Sequence, residues 1–181
     1  MQRMFAEDTP WHVGWMNRVL PQIEAVSSRF AAKTVFTRFV PPDNSEQANG
    51  AWQAYYRKWQ NMTLEHLPLE LVDLVAPLAR LVPPATVFDK ATYSPWTDGR
   101  LHVSFYRQNV TSVVVSGGET DVCVLATVLG AIDFGYKVVV LSDAVCSGAD
   151  ATHDAALTLL GDRFSTQLDV MTSEQFMECV D

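Results

Sequence analysis

Cys123 stands where a thiol can be made to react. Val113, Val114 and Val115 form a continuous apolar run that reads as a buried strand of a parallel sheet. Ser116, Gly117 and Gly118 break that run, and Cys123 opens an apolar helical stretch from Val124 to Phe134. Unsatisfied backbone N–H groups at a helix start carry partial positive charge, so they lower a thiol pKa and can hold an oxyanion. One turn can therefore supply both a nucleophile and the donors that stabilise the charge it creates. The polar turn Glu119, Thr120 and Asp121 lies at the carboxyl end of a strand, which is where open α/β sheets bind ligands.

The remaining cysteines are ordinary by comparison. Cys146 follows the apolar run Val138 to Leu141 and reads as a small packed residue, and Cys179 reads as an exposed bystander near the terminus. Three widely spaced cysteines without a C-x-x-C pair give no disulfide framework and favour a reducing, cytoplasmic setting. The four histidines, His12, His66, His102 and His153, show no ligand spacing, so neither a metal nor any other cofactor is expected.

Two patches of the chain resemble the isochorismatase-like cysteine hydrolases, a family that includes nicotinamidases and N-carbamoyl-amide amidohydrolases. GGETDVCV followed by GYKVVVLSDAVCS matches the family at Thr120, Asp121, Cys123, Val124, Gly135, Tyr136, Asp143, Ala144 and Ser147. DKATYS, Asp89 to Ser94, is similar to the segment that carries the family's catalytic lysine, here Lys90. The resemblance implies Cys123 as nucleophile, Lys90 as supporting cation, and an oxyanion hole from the backbone N–H groups of Glu119 and Cys123. It also implies a cis peptide at Gly118–Glu119 and a substrate pocket that includes Phe5, Tyr93 and Trp96. The family's catalytic aspartate aligns immediately before Met1, outside this sequence together with the strand that bears it, so the chain as written is expected to be catalytically poor. Asp8 reads as a residue near a helix start, where carboxylates are favoured, and Asp121 as a supporting group. The metal-binding D-x-H-P-like segment of nicotinamidases has no counterpart in TRFVPPDNS.

These residues need a scaffold, and the chain supplies one. Strands are expected at 34–39, 86–88, 112–116, 137–142 and 168–171. Helices are expected at 11–32, 47–59, 67–81, 101–108, 123–134 and 149–160, with a last one from Ser173. Strands alternating with helices argue for a three-layer α/β/α fold, a doubly wound and mainly parallel sheet in a single domain over residues 1–181. Right-handed crossovers make the first strand of such a sheet central. Its absence predicts that strands 34–39 and 112–116 flank a gap instead of pairing.

With 181 residues, 48% of them hydrophobic, the chain can bury a sizeable core. A net charge of −8 disfavours nucleic acid, and no apolar stretch approaches the ~20 residues that span a bilayer. The expectation is a metal-independent cysteine hydrolase that cleaves a C–N amide or carbamoyl bond of a small molecule, as a homodimer or larger homo-oligomer. The alternatives are an isochorismatase-type vinyl-ether hydrolase and a non-catalytic member. The aromatic group Trp52, Tyr55, Tyr56 and Trp59 is read as packing that can also wall a pocket.

Overall fold

The structure is a computed structural model that describes residues 1–180. Five parallel strands form two sheets. β1 (Val35–Phe39) pairs with β2 (Thr86–Lys90), and β3 (Ser112–Gly118) pairs with β4 (Lys137–Cys146), which pairs with β5 (Leu168–Met171). Among the described residues no ladder joins β1 to β3, so the two strands flank a break in the sheet, as the crossover rule predicts.

Alternation along β4 sends its side chains into two cores. Val138 and Val140 pack with Val128 of α6 (Leu125–Asp133) and Leu160 of α7 (Asp150–Arg163), while Leu141 and Val139 pack with Ile23 of α2 (Met16–Arg29). A strand buried on both faces reads as an unbroken apolar run, which is why β3 and β4 are legible in the sequence. α5 (Arg100–Arg107) joins α6 and α7 on one side of the sheet, and α8 (Ser173–Cys179) joins α2 on the other. The result is the expected three-layer α/β fold.

Several elements differ from expectation: helix 11–32 shortens to α2, helix 47–59 to Ala51–Lys58, and β2 runs two residues past its expected end to Lys90. The stretch 67–81 forms a 3₁₀ turn, Leu69–Val72, and a single α turn, α4 (Ala76–Ala79), instead of a long helix. Pro77 at the start of α4 has no N–H to donate, and Leu74 pairs antiparallel with Gln2, so tertiary pairing overrides the helical spacing. β4 also runs four residues past its expected end, because Val145 and Cys146 pair with Gly117 and Gly118 after the extra residues of β4 bulge out between Val140 and Val145.

The amino-terminal segment closes part of the open edge of β1. The Val40 N–H bonds to Lys90 in β2, so Phe39 turns its own N–H and C=O the other way. The Gln2 side chain meets both: its Oε1 accepts from Phe39 N at 2.7 Å and its Nε2 donates to Phe39 O at 2.9 Å and to Val72 O at 2.8 Å. This buried amide stands in for one rung of a ladder and also fixes α1 (Arg3–Ala6), which follows it.

Candidate active site

β2 ends on Lys90, and β3 ends on the turn that carries Cys123. Thr120–Val124 forms a π-type turn that leads directly into α6, so Cys123 sits in the first turn of a helix after a strand. The Gly118–Glu119 peptide is cis. Lys90 Nζ lies 3.5 Å from Cys123 Sγ and donates to the carbonyls of Thr92 and Tyr93 at 2.9 and 2.7 Å. The same ammonium stands 5.3 Å over the Phe39 ring. Three donors with three oriented partners hold a buried lysine in one position.

The electrostatics correct one expectation. The helix start alone was expected to lower the Cys123 thiol, yet burial pushes it above the ordinary thiol range. Lys90 pulls it down, the Glu119 carboxylate pushes it up, and the Glu119 backbone N–H, bonded to the sulfur, pulls it down again. Burial likewise lowers Lys90, against the opposing pull of Cys123. Desolvation disfavours either charge alone, so the resting thiol holds its proton and needs a base to become a nucleophile.

An aromatic wall rises beside this pair. Tyr93 stacks on Phe39 and lies 4.8 Å from Trp52, centroid to centroid. Tyr55 and Tyr56, from α3 (Ala51–Lys58), pack on Trp52, and the Tyr55 hydroxyl pairs with that of Tyr93. Trp11 closes the group against Phe39, Tyr55 and Trp59, and Phe5 stacks on Trp11 at 6.1 Å. The structure thus brings Tyr93 to the nucleophile and puts Phe5 at the far end of the wall.

Trp96 lies elsewhere. It is buried among Phe105, Phe134 and Tyr136, and its indole N–H donates to Thr127 O at 2.8 Å. Its ring occupies the groove at Gly130, where any Cβ would fall 2.4 Å from Cδ1. Trp96 pins the loop after Lys90 to α6 from beneath, and a bulky apolar residue in a loop carries no sequence signal that separates this from pocket lining.

A description of the isochorismatase domain matches residues 1–175. This chain belongs to the isochorismatase family. Isochorismatase family protein 1A of Dictyostelium discoideum is 40% identical to it over 62 residues, a stretch that makes up 34% of this chain and 30% of that protein. The aligned segment therefore spans less than a third of that relative's length. Among solved structures, a cysteine hydrolase from Pseudomonas syringae pv. phaseolicola 1448A superposes with a TM-score of 0.83 at 22% identity, over 98% of this chain and 87% of its own. N-carbamoylsarcosine amidase from Thermoplasma acidophilum superposes with a TM-score of 0.75 at 17% identity, over 96% and 92%. Both share the fold.

The family motif residues of this isochorismatase-family chain have visible structural work. Asp121 accepts from Ser147 Oγ at 2.5 Å, which ties the nucleophile turn to the loop after β4. Burial pushes the Asp121 carboxyl up, but its bonds from Ser147 and Thr152 leave it below the usual range. Asp143 accepts from the N–H and hydroxyl of Ser173 at the start of α8. Buried His153 of α7 bonds through Nδ1 to Thr120 Oγ1 at 2.9 Å, and Gly135 makes the left-handed turn (φ +84°) that ends α6 before Tyr136. Among the described residues no three His, Cys, Asp or Glu side chains gather as a metal site. No helix among them is long and apolar enough to cross a membrane.

Proposed function

We propose that this isochorismatase-family protein is a metal-independent cysteine hydrolase that cleaves a C–N amide or carbamoyl bond of a small molecule through a thioester on Cys123. The observation that carries the reading is the 3.5 Å approach of Lys90 Nζ to Cys123 Sγ at the first turn of a helix. A cation with all its donors fixed stabilises the thiolate as it forms, and backbone N–H groups of Glu119 and Cys123 offer the oxyanion its donors. Tyr93, Trp52 and Phe39 supply an aromatic wall against which a small amide packs. The likeness to an N-carbamoylsarcosine amidase is in keeping with C–N cleavage, and that to a cysteine hydrolase with a thiol nucleophile. Unpaired Cys123, Cys146 and Cys179 support a reducing compartment as the place of work.

The test is a panel of primary amides and N-carbamoyl amino acids, read by ammonia or amine release and by intact mass. Turnover with an acyl adduct on the Cys123 peptide, both abolished in Cys123→Ala, is expected. Turnover unchanged in Cys123→Ala overturns the reading.

A further inference from the structure

Cys123 sits in a turn that is wider than an α-helix. The Val124 N–H bonds to Glu119 O at 2.9 Å and the Leu125 N–H to Thr120 O, each five residues back, where an α-helix reaches back four. Resting on the cysteine-hydrolase reading, we propose that His153 is a positioning residue of that reaction: its bond to Thr120 locks the widened turn in the register that sets Cys123 against Lys90.

Turns of this kind are rare and concentrate at functional sites, so one that persists calls for a grip from outside the helix. Glu119 gives the turn no side-chain cap. The grip comes instead from α7 and the loop before it. Thr120 is fully buried and its Oγ1 meets His153 Nδ1 at 2.9 Å, while Asp121 accepts from Ser147 Oγ. Ser147 belongs to a loop, but His153 stands on α7, whose Leu160 is seated in the core beneath the sheet. The Trp15 ring, just before α2, packs on the imidazole at 5.2 Å between centroids. Held by a helix and by an indole, the buried imidazole fixes Thr120 and does not follow it.

The consequence for the sulfur follows from helix geometry. At 3.6 residues per turn, one residue advances about 100° around the axis, so a turn that relaxed to α spacing would swing its side chains by up to about that angle. Lys90 cannot follow such a swing, because the carbonyls of Thr92 and Tyr93 hold its ammonium at 2.9 and 2.7 Å. The 3.5 Å contact between Nζ and Sγ then opens, and the thiol loses the cation beside it. Among the described residues no hydrogen bond joins His153 to Cys123 or to Lys90, so its influence runs through Thr120.

The experiment labels the full chain with iodoacetamide at pH 8 and reads the rate at the Cys123 peptide. The proteins are wild type, His153→Leu, His153→Asn, Lys90→Met and the double variant His153→Leu, Lys90→Met. Leucine fills the space of the imidazole without a polar atom, whereas asparagine keeps a polar atom near the position of Nδ1. His153→Leu is expected to slow Cys123 labelling about tenfold, the effect of losing one adjacent charge. The acylation burst from 4-nitrophenyl acetate slows alike, and His153→Asn returns both to within about twofold of wild type, the margin within which independent effects add.

The double variant separates positioning from general support of the fold. If His153 acts by keeping Cys123 on Lys90, the double variant labels no more slowly than Lys90→Met alone, because the contact it protects is already gone. Slowing that adds to that of Lys90→Met overturns the proposal, and so does an unchanged rate in His153→Leu. Faster labelling of buried Cys146 in His153→Leu marks a loosened fold. Thr120→Val, which removes the same bond with a side chain of the same shape, then decides by the same comparison with Lys90→Met. A burst that survives in Cys123→Ala removes the cysteine-hydrolase reading and leaves the labelling result to stand. A Cys123-dependent burst indifferent to His153→Leu removes only the positioning role.

Discussion

Lys90 and Cys123 stand 33 positions apart in the chain, one ending β2 and the other on the turn after β3 in the other sheet, and meet at 3.5 Å between Nζ and Sγ. The contact spans the break between β1–β2 and β3–β4–β5, so the geometry of the site depends on how the two sheets are held together.

Removing the cation raises the thiol further. Lys90→Met is expected to slow iodoacetamide labelling of Cys123 at pH 8 by about tenfold, the effect of about one pKa unit from one adjacent charge. Cys146 and Cys179 in the same sample serve as controls for unfolding, and an unchanged Cys123 rate contradicts the pairing.

Cys146 gives the protein a pH-dependent stability of known sign. Burial raises its folded-state thiol from 9.0 to about 12, aided by Glu119 and opposed by the Met1 amino group. An acid whose folded pKa is raised contributes its full stabilisation below the unfolded value and loses it as pH climbs to the folded one. The Tm advantage of wild type over Cys146→Ala should therefore be largest at pH 8 and shrink between about 9 and 12. An advantage that stays constant over that window refutes the shift.

Gln2 carries three buried bonds to two segments that no strand ladder connects. Gln2→Leu leaves Phe39 N–H and two carbonyls unsatisfied, at a cost of roughly 2–4 kcal/mol. Urea denaturation is the direct measurement, and a loss below about 0.5 kcal/mol, the lower bound for one net hydrogen bond, shows that water replaces the amide.

Gly130 has no room for a methyl group, because Trp96 fills its groove. Gly130→Ala is expected to destabilise by about 1–3 kcal/mol through overpacking. The combined Gly130→Ala, Trp96→Leu variant relieves the clash, so its cost should fall short of the sum of the two single changes.

Much of this was legible from residue types. Apolar runs marked β3 and β4 because both faces are buried, and the polar glycine-rich turn before Cys123 marked the strand-to-helix junction. What was not legible comes from residues distant in sequence. The direction of the Cys123 pKa is set by burial, which a local helix-start argument does not contain. Residues 67–81 carry helical spacing, yet Leu74 pairs with Gln2 and the helix is lost. Trp96 and Tyr93 are both aromatic residues of one loop, and only packing sends one under α6 and the other to the sulfur's side.

The aromatic wall also makes the chain its own optical sensor. Three of its five tryptophans, Trp11, Trp52 and Trp59, belong to this one cluster, with Tyr55, Tyr56 and Tyr93 close enough to pass excitation to them. A molecule that settles against Trp52 and Tyr93 displaces water from an indole face and changes the intrinsic emission. Occupancy can then be followed in unlabelled protein, including for compounds that bind and are never turned over.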